Sequence, residues 1–269
     1  MKRETQLEVN QEYVEELVAD GERLDGRDFD EFRDIELEAG HIHETADGSA
    51  YVEMGDTKLI VGISTEIGDP YDDSPESGTL ITNAELGPMA SEEWEAGPPT
   101  IEAVELARVV DRGIRESGMI DLEDLGIEEG EKCWLLFVDI HVLDFDGNLI
   151  DASFLGAVTA LLDGSFPAYD EAEDELDREA DGEDIPAEGI PVTLTGRKIG
   201  DQLLIDTTGE EEDVETARLT VTLNDEDNLV SLQKGEDQSL SAQEVIDIVE
   251  LIEENSDFLR ETVEAALEE

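Results

Sequence analysis

Arg108, Arg112 and Arg115 are the residues whose type and spacing speak most directly of chemistry. Basic side chains are scarce, sixteen in 269 residues, yet three fall within eight positions where even placement would put about half a residue. The i, i+4, i+7 spacing sets them on one face of a helix. The segment TIEAVELARVVDRGIRES (100–117) predicts that helix, capped by Thr100, with Leu106, Val109, Val110 and Ile114 as its apolar stripe. The arginines lie opposite the Leu106/Val110/Ile114 side. Guanidinium groups contact phosphate bidentately and stack on bases, so such a row suits an anionic polymer. Spacing alone leaves two readings open: an anion-gripping face, or ion pairs with Glu102, Glu105, Asp111, Glu116 or acids of another element or subunit.

The other reactive residue types are less informative. His41 and His43 share a strand face but lack a third ligand, which reads as surface histidine, not as a metal site. His141 stands in an apolar strand beside Asp139 and reads as a hydrogen-bonded structural residue. Cys133 is the lone cysteine and cannot staple the chain. No Walker-type loop, GxGxxG, HExxH, CxxC or GxSxG occurs. With 75 acidic residues, pairs of carboxylates arise by coincidence and identify nothing. No cofactor or metal is expected.

The net charge of −59 sets the background for the arginines. Hydrophobic residues still make up 39% of the chain and come in ordered runs such as WLLFVDIHVLDF (134–145), so there is a core to bury. Acid spread along the whole length fits a salt-rich cytosol. At ~1 M ionic strength the Debye length is about 3 Å, which screens self-repulsion while carboxylates keep the surface hydrated. A halophilic origin is the expectation. The rival is an acidic protein with a basic partner, which would gather its acid in blocks, as only 170–188 does. The start, MKRETQLEVNQEY, lacks the apolar run of a signal peptide. No stretch approaches the ~18–20 apolar residues of a membrane span. A cytoplasmic location is expected.

These residues need a frame to hold them. Apolar spacing predicts a helix over 10–20, followed by a charged connector, RLDGRDFDEFRD (23–34), holding three of the eleven arginines. DIELEAG (34–40) alternates as a strand. SAYVEM (49–54) and TKLIVGIST (57–65) flank Gly55-Asp56 and read as a hairpin. TLITNAEL (79–86) and the central KCWLLFVDIHVLDF (132–145) read as strands, and DASFLGAVTALLDG (151–164) as a tightly packed helix. DEAEDELDREADGEDIPAEG (170–189), with eleven acids in twenty residues, reads as a surface insertion or linker, an acidic helix over 170–180 being one form of it. Four strands (191–199, 202–208, 217–224 and 228–235) and one long or two short helices over 241–269 close the chain. The fold class is α/β, two mixed-sheet lobes with packed helices. The expected division is an N-terminal helix and connector over 1–30, a first domain over 31–168, an acidic linker over 169–190 and a second domain over 191–269.

Four stretches together, 23–40, 47–67, 86–117 and 138–163, resemble the RNase PH-like proteins, and among them the non-catalytic ring subunit of the archaeal exosome. The resemblance implies the RNase PH fold, a ribosomal S5 domain 2-like lobe followed by a C-terminal RNase PH lobe. It implies a heterodimer with an active RNase PH-like subunit, three copies closing a hexameric ring, RNA-binding cap subunits, and phosphate-dependent 3′-to-5′ degradation of single-stranded RNA. It assigns Arg108, Arg112 and Arg115 to the RNA path. It also implies silence. Active members carry a turn of the type DGGTRTA; here DGNLIDA (146–152) puts Asn148 for the second glycine, Ile150 for the arginine and Asp151 for a threonine. Isoleucine cannot hold phosphate and aspartate would repel it. Active members also place an aspartate six residues after another as general acid, and counting from Asp206 lands on Glu212. Two further readings stay open: an active phosphorolytic exoribonuclease using Asp206 and Glu212, and an acidic protein-binding module with no RNA role.

Overall fold

The β-rich runs pair as their alternation requires. The computed structural model describes residues 2–42, 45–170 and 175–268. After helix α1 (Lys2–Ala19) come β1 (Ile35–Ala39), β2 (Gly48–Met54), β3 (Thr57–Gly68) and β4 (Thr79–Leu86). Helix α2 (Ile101–Ser117), the short β5 (Gly126–Glu128), β6 (Lys132–Asp144) and α3 (Leu149–Asp163) complete the first lobe. Its sheet runs β1-β2-β3-β6-β4, with β5 on β6. Only β4 lies parallel to its neighbour; the other pairings are antiparallel. Buried Val52, Leu59, Val61, Val138 and Ile140 of this sheet form one core with Leu106, Val110 and Ile114 of α2 and Ala157, Val158 and Leu161 of α3. Burying such side chains contributes about 1.5–3 kcal/mol each.

Among the described residues the acidic segment forms no helix. Ser165–Asp170 (β7) and Glu175–Asp184 (β8) pair antiparallel, so the helix considered for 170–180 is corrected to strand at Asp170 and 175–180, while 171–174 lie outside the described residues. The hairpin is anchored where it is not acidic: Phe166 stacks on Trp134 with centroids 4.4 Å apart, and Arg178 donates to the Thr65 carbonyl at 2.9 Å.

The second lobe is β9 (Val192–Ile199), β10 (Gln202–Leu204), the single-turn α4 (Gly209–Glu212), β11 (Ala217–Leu223), β12 (Leu229–Gly235) and one long helix, α5 (Ala242–Glu268). Its sheet order is β10-β9-β11-β12, antiparallel throughout. The two-residue period of β9 gives the sheet two faces. Thr195 turns to Asp151 of α3, while Gly196 lies so close to Ile248 of α5 that a Cβ would meet it at 2.6 Å. Leu194, Val221 and Leu223 pack with Ile248, Ile252 and Leu259, and threonines 193, 195, 220 and 222 fill the other face. The N-terminal helix belongs to this lobe as well, since Val14 and Val18 pack on Ile199, Leu204 and Val214.

Candidate functional site

Helix α2 starts where the sequence places it. Thr100 Oγ1 accepts the Ala103 N–H at 3.3 Å, and Gly118, at φ 73, closes the helix on the Arg115 carbonyl. The apolar stripe is buried as expected and the three arginines are exposed on the opposite side. Gly113 lets α2 approach α3, since a Cβ there would lie 2.4 Å from Phe154 Cε2.

The arginines line one open groove of about 710 Å³, with Ile101, Val104 and Thr82 on its walls and Gln233 of β12 at its edge. Their partners differ. Arg115 donates to Asp111 at 2.7 Å and also to the Leu80 carbonyl of β4. Among the described residues Arg112 reaches only the Gln233 amide oxygen, at 3.4 Å. Arg108 has no hydrogen-bond or ion-pair partner among the described residues. Glu105, one turn before Arg108 and two before Arg112, also lines the groove but is ion-paired with Arg218 of β11. Among the described residues, Arg108 and Arg112 thus make no ion pair, although Glu105, Asp111 and Glu116 share their groove and acid outnumbers base 75 to 16 in the chain.

A second cluster forms where the lobes meet. The turn before α3 lies against residues 207–209 so closely that a Cβ on Gly147, at φ 80, would stand 2.2 Å from the Thr207 carbonyl. Asn148 is fully buried with left-handed backbone, φ 52. Its Nδ2 donates to Asp206 Oδ1 at 2.9 Å, and its backbone N–H donates to Glu212 Oε1 at 2.6 Å. Asp206 is itself gripped by the connector: Arg33 binds both its oxygens and Arg27 adds a contact at 3.1 Å. Burial pushes the Asp206 carboxyl up, but the hydrogen bonds and charge of Arg33 outweigh it and hold the pKa below the ordinary value. Arg23, also buried, grips Glu211 through two bonds of 2.9 and 2.7 Å. Arg197 of β9 is held by Glu212 at 2.6 Å and Glu215 at 2.5 Å.

Ile150 and Asp151 part company. Ile150 lines a pocket of about 280 Å³ together with Arg197, Glu212, Glu215 and further acids, among them Glu102, Glu105 and Glu236. Asp151 instead points into the second lobe, accepting the Thr195 N–H at 3.0 Å and hydroxyl at 2.7 Å. Burial there raises its pKa to about 6. The histidines remain peripheral. His41 pairs with Glu38 at 2.9 Å and stacks on Tyr51, His141 pairs with Glu85 at 3.2 Å, and His43 lies outside the described residues. Among the described residues no cluster of potential metal ligands forms, and no helix is long and apolar enough to cross a membrane.

The stripe at 108, 112 and 115 is visible in the sequence; the roles of Arg23, Arg27, Arg33 and Arg197 are not. The signal for the first three is their concentration in the connector, which names no partner until the lobes meet; Arg197, on β9, has none.

Two domain models of the 3′ exoribonuclease family match the chain, domain 1 over residues 31–167 and domain 2 over 189–255. The chain belongs to this RNase PH family. It is similar to exosome complex component Rrp42 of Methanopyrus kandleri, 49% identical over 248 residues and covering 92% of each protein. Rrp42 of Methanocella arvoryzae is 42% identical over 98% of this chain and 99% of that one. Among solved structures it resembles a chain of the Archaeoglobus fulgidus exosome with RNA bound to the active site, at a TM-score of 0.88 and 44% identity, covering 96% of this chain and 98% of that one. Rice Rrp46, at 17% identity and a TM-score of 0.68, shares the fold. The expected RNase PH fold of two α/β lobes is therefore borne out.

Proposed function

We propose that this chain is a ring subunit of an exosome of the archaeal type, without an active site of its own, that guides single-stranded RNA for an active RNase PH-like neighbour. Three such heterodimers form the hexameric ring, capped by RNA-binding subunits, in the cytoplasm. The domain division is 31–168 and 191–269, joined by the acidic segment. The carrying observation is the contrast between the two clusters. Among the described residues, Arg108 and Arg112 stand without carboxylate partners in an open groove. Arg197 at the seam is engaged by Glu212 and Glu215.

Moving a nucleotide from an RNA end to phosphate requires the strand in line with the attacking anion. Much of such catalysis is positioning and stabilisation of charge. Arg108 and Arg112 suit the positioning, because they hold backbone phosphates and carry no proton to and fro. The seam supports the silent reading: Ile150 offers no donor and Glu212 is bound to Arg197 and the Asn148 N–H.

The test is reconstitution with an RNase PH-like partner in multimolar potassium chloride, assayed for complex size and for phosphate-dependent shortening of labelled RNA. The pair degrades RNA and the isolated chain does not. Release of nucleoside diphosphates by the isolated chain would overturn the silent reading.

A further inference from the structure

Two carboxylates lie within one helical turn of Arg108, those of Glu105 and Asp111, and both are engaged elsewhere. Asp111 is held by Arg115 at 2.7 Å. Glu105 is ion-paired with Arg218, which comes from β11 of the second lobe. Glu105 lines both the arginine groove and the pocket at the seam, so it stands on the wall between them, and Arg218 lines the pocket side of that wall. The guanidinium has room because its register partner on β12 is Gly235, where a Cβ would stand 2.1 Å from Arg218 Nε. Glu102, Glu215 and Glu236 line the same pocket, and Arg197, its other cation, is taken by Glu212 and Glu215. Without Arg218, like charges in the pocket and an unpaired guanidinium in the groove would turn the Glu105 carboxylate towards Arg108, three residues further along the helix. The residue that the same sheet sets against Arg112 is Gln233, a neutral amide.

We infer that Arg218 is a positioning residue for the RNA path: by pairing with Glu105 it keeps Arg108 free to hold a backbone phosphate. The second lobe thereby sets the charge of a groove built mainly on the first. The inference rests on the reading of Arg108 and Arg112 as RNA contacts and adds the group that keeps one of them available. A simple tie between the lobes is broken equally by changing either partner of the ion pair. A charge-keeping role makes the two partners opposite in effect. Loss of Arg218 releases an acid onto Arg108, whereas neutralising Glu105 removes that acid.

The test uses the ring reconstituted with an active RNase PH-like partner in phosphate-free buffer, so that the strand is not shortened. Labelled single-stranded RNA is titrated by fluorescence anisotropy over a range of potassium chloride concentrations in which the ring stays assembled. Arg218→Met, which keeps the aliphatic stem, weakens binding at least about threefold, the scale of a surface ion pair that the strand must displace. It also flattens the log–log salt dependence by about 0.7, as the loss of one phosphate contact does. Glu105→Gln binds at least as tightly as the parent, and adding it to Arg218→Met restores binding to the parent value. Arg218→Gln carries the test if Arg218→Met does not enter the ring by light scattering. The inference fails if Glu105→Gln alone weakens binding, if an intact ring carrying Arg218→Met binds as the parent does, or if Glu105→Gln does not restore it. Arg108→Ala separates the two readings. If it leaves binding unchanged, Arg108 is no RNA contact and the inference falls with that reading; if it weakens binding while Arg218→Met does not, the inference alone falls.

Discussion

Asp206 and Arg33 are joined three times: Arg33 Nε donates to Oδ2 at 2.9 Å, Nη2 to Oδ1 at 2.7 Å, and the backbone N–H of Arg33 to Oδ2 at 2.7 Å. Asp206 is fully buried and held at φ 42, a left-handed backbone that aspartate tolerates better than most residues. The connector and the second lobe are thereby locked through one carboxylate.

Breaking that lock strands a buried charge, which costs about 3–5 kcal/mol. Arg33→Ala and Asp206→Ala are each expected to lose that much unfolding free energy in denaturant titrations, and the double variant less than their sum. The pKa of Asp206 is depressed in the folded state, so its contribution is present above the ordinary carboxylate range and lost as pH falls through the folded value. The gap between the parent and Asp206→Ala should accordingly close in acid.

Arg108→Ala with Arg112→Ala should slow RNA degradation by the reconstituted complex while its size by light scattering is unchanged. Removing one phosphate contact should flatten the salt dependence of RNA binding by about 0.7 in log–log slope. Unchanged degradation at working salt would reduce the stripe to a structural feature. Arg115→Ala should behave differently, lowering thermal stability, because Arg115 ties α2 to the Leu80 carbonyl of β4.

Asp151 predicts a pH effect of the opposite sign to Asp206. Its folded pKa is raised to about 6, mainly by burial, so the folded state holds a proton that the unfolded chain has already released. Stability from this group is greatest in acid and falls between about pH 4 and 6, by on the order of 3 kcal/mol. Asp151→Asn removes that slope. Measured from pH 4 to 7, the stability of the parent relative to Asp151→Asn should decline and then level off.

Self-repulsion from a net charge of −59 should make folding depend on salt. Thermal unfolding followed from dilute buffer to multimolar potassium chloride should show the midpoint rising steeply, most of all at the low end where the screening length shortens fastest. A midpoint indifferent to salt would remove the halophilic reading.

Much of this frame is legible because local signals and packing agree. Thr100 begins and Gly118 ends α2 where the apolar period starts and stops, and Gly55-Asp56 marks the β2–β3 turn. The strand expected over 202–208 stops at Leu204, since Asp206 turns left-handed to meet Arg33. β8 is hidden because ELDREADGED has the composition of a solvated linker. Its strand state comes from pairing with β7, and β-propensity follows context. At the candidate site the arginine row can be read from spacing alone. The seam cannot, since Arg23 and Glu211 stand 188 residues apart. Asp151 reads in the sequence as an anion-repelling neighbour of Ile150, but the second lobe claims its carboxylate through Thr195.

The docking of the N-terminal helix and connector on the second lobe has a consequence for biosynthesis. Val14, Val18, Arg23, Arg27 and Arg33 leave the ribosome well before Ile199, Asp206 and Glu211. Residues 14–33 must therefore wait for their second-lobe contacts until about 170 further residues have been made. Closing so long a loop is the slow kind of folding step. A chain halted before residue 206 would leave those arginines short of the second-lobe carboxylates on which they finish.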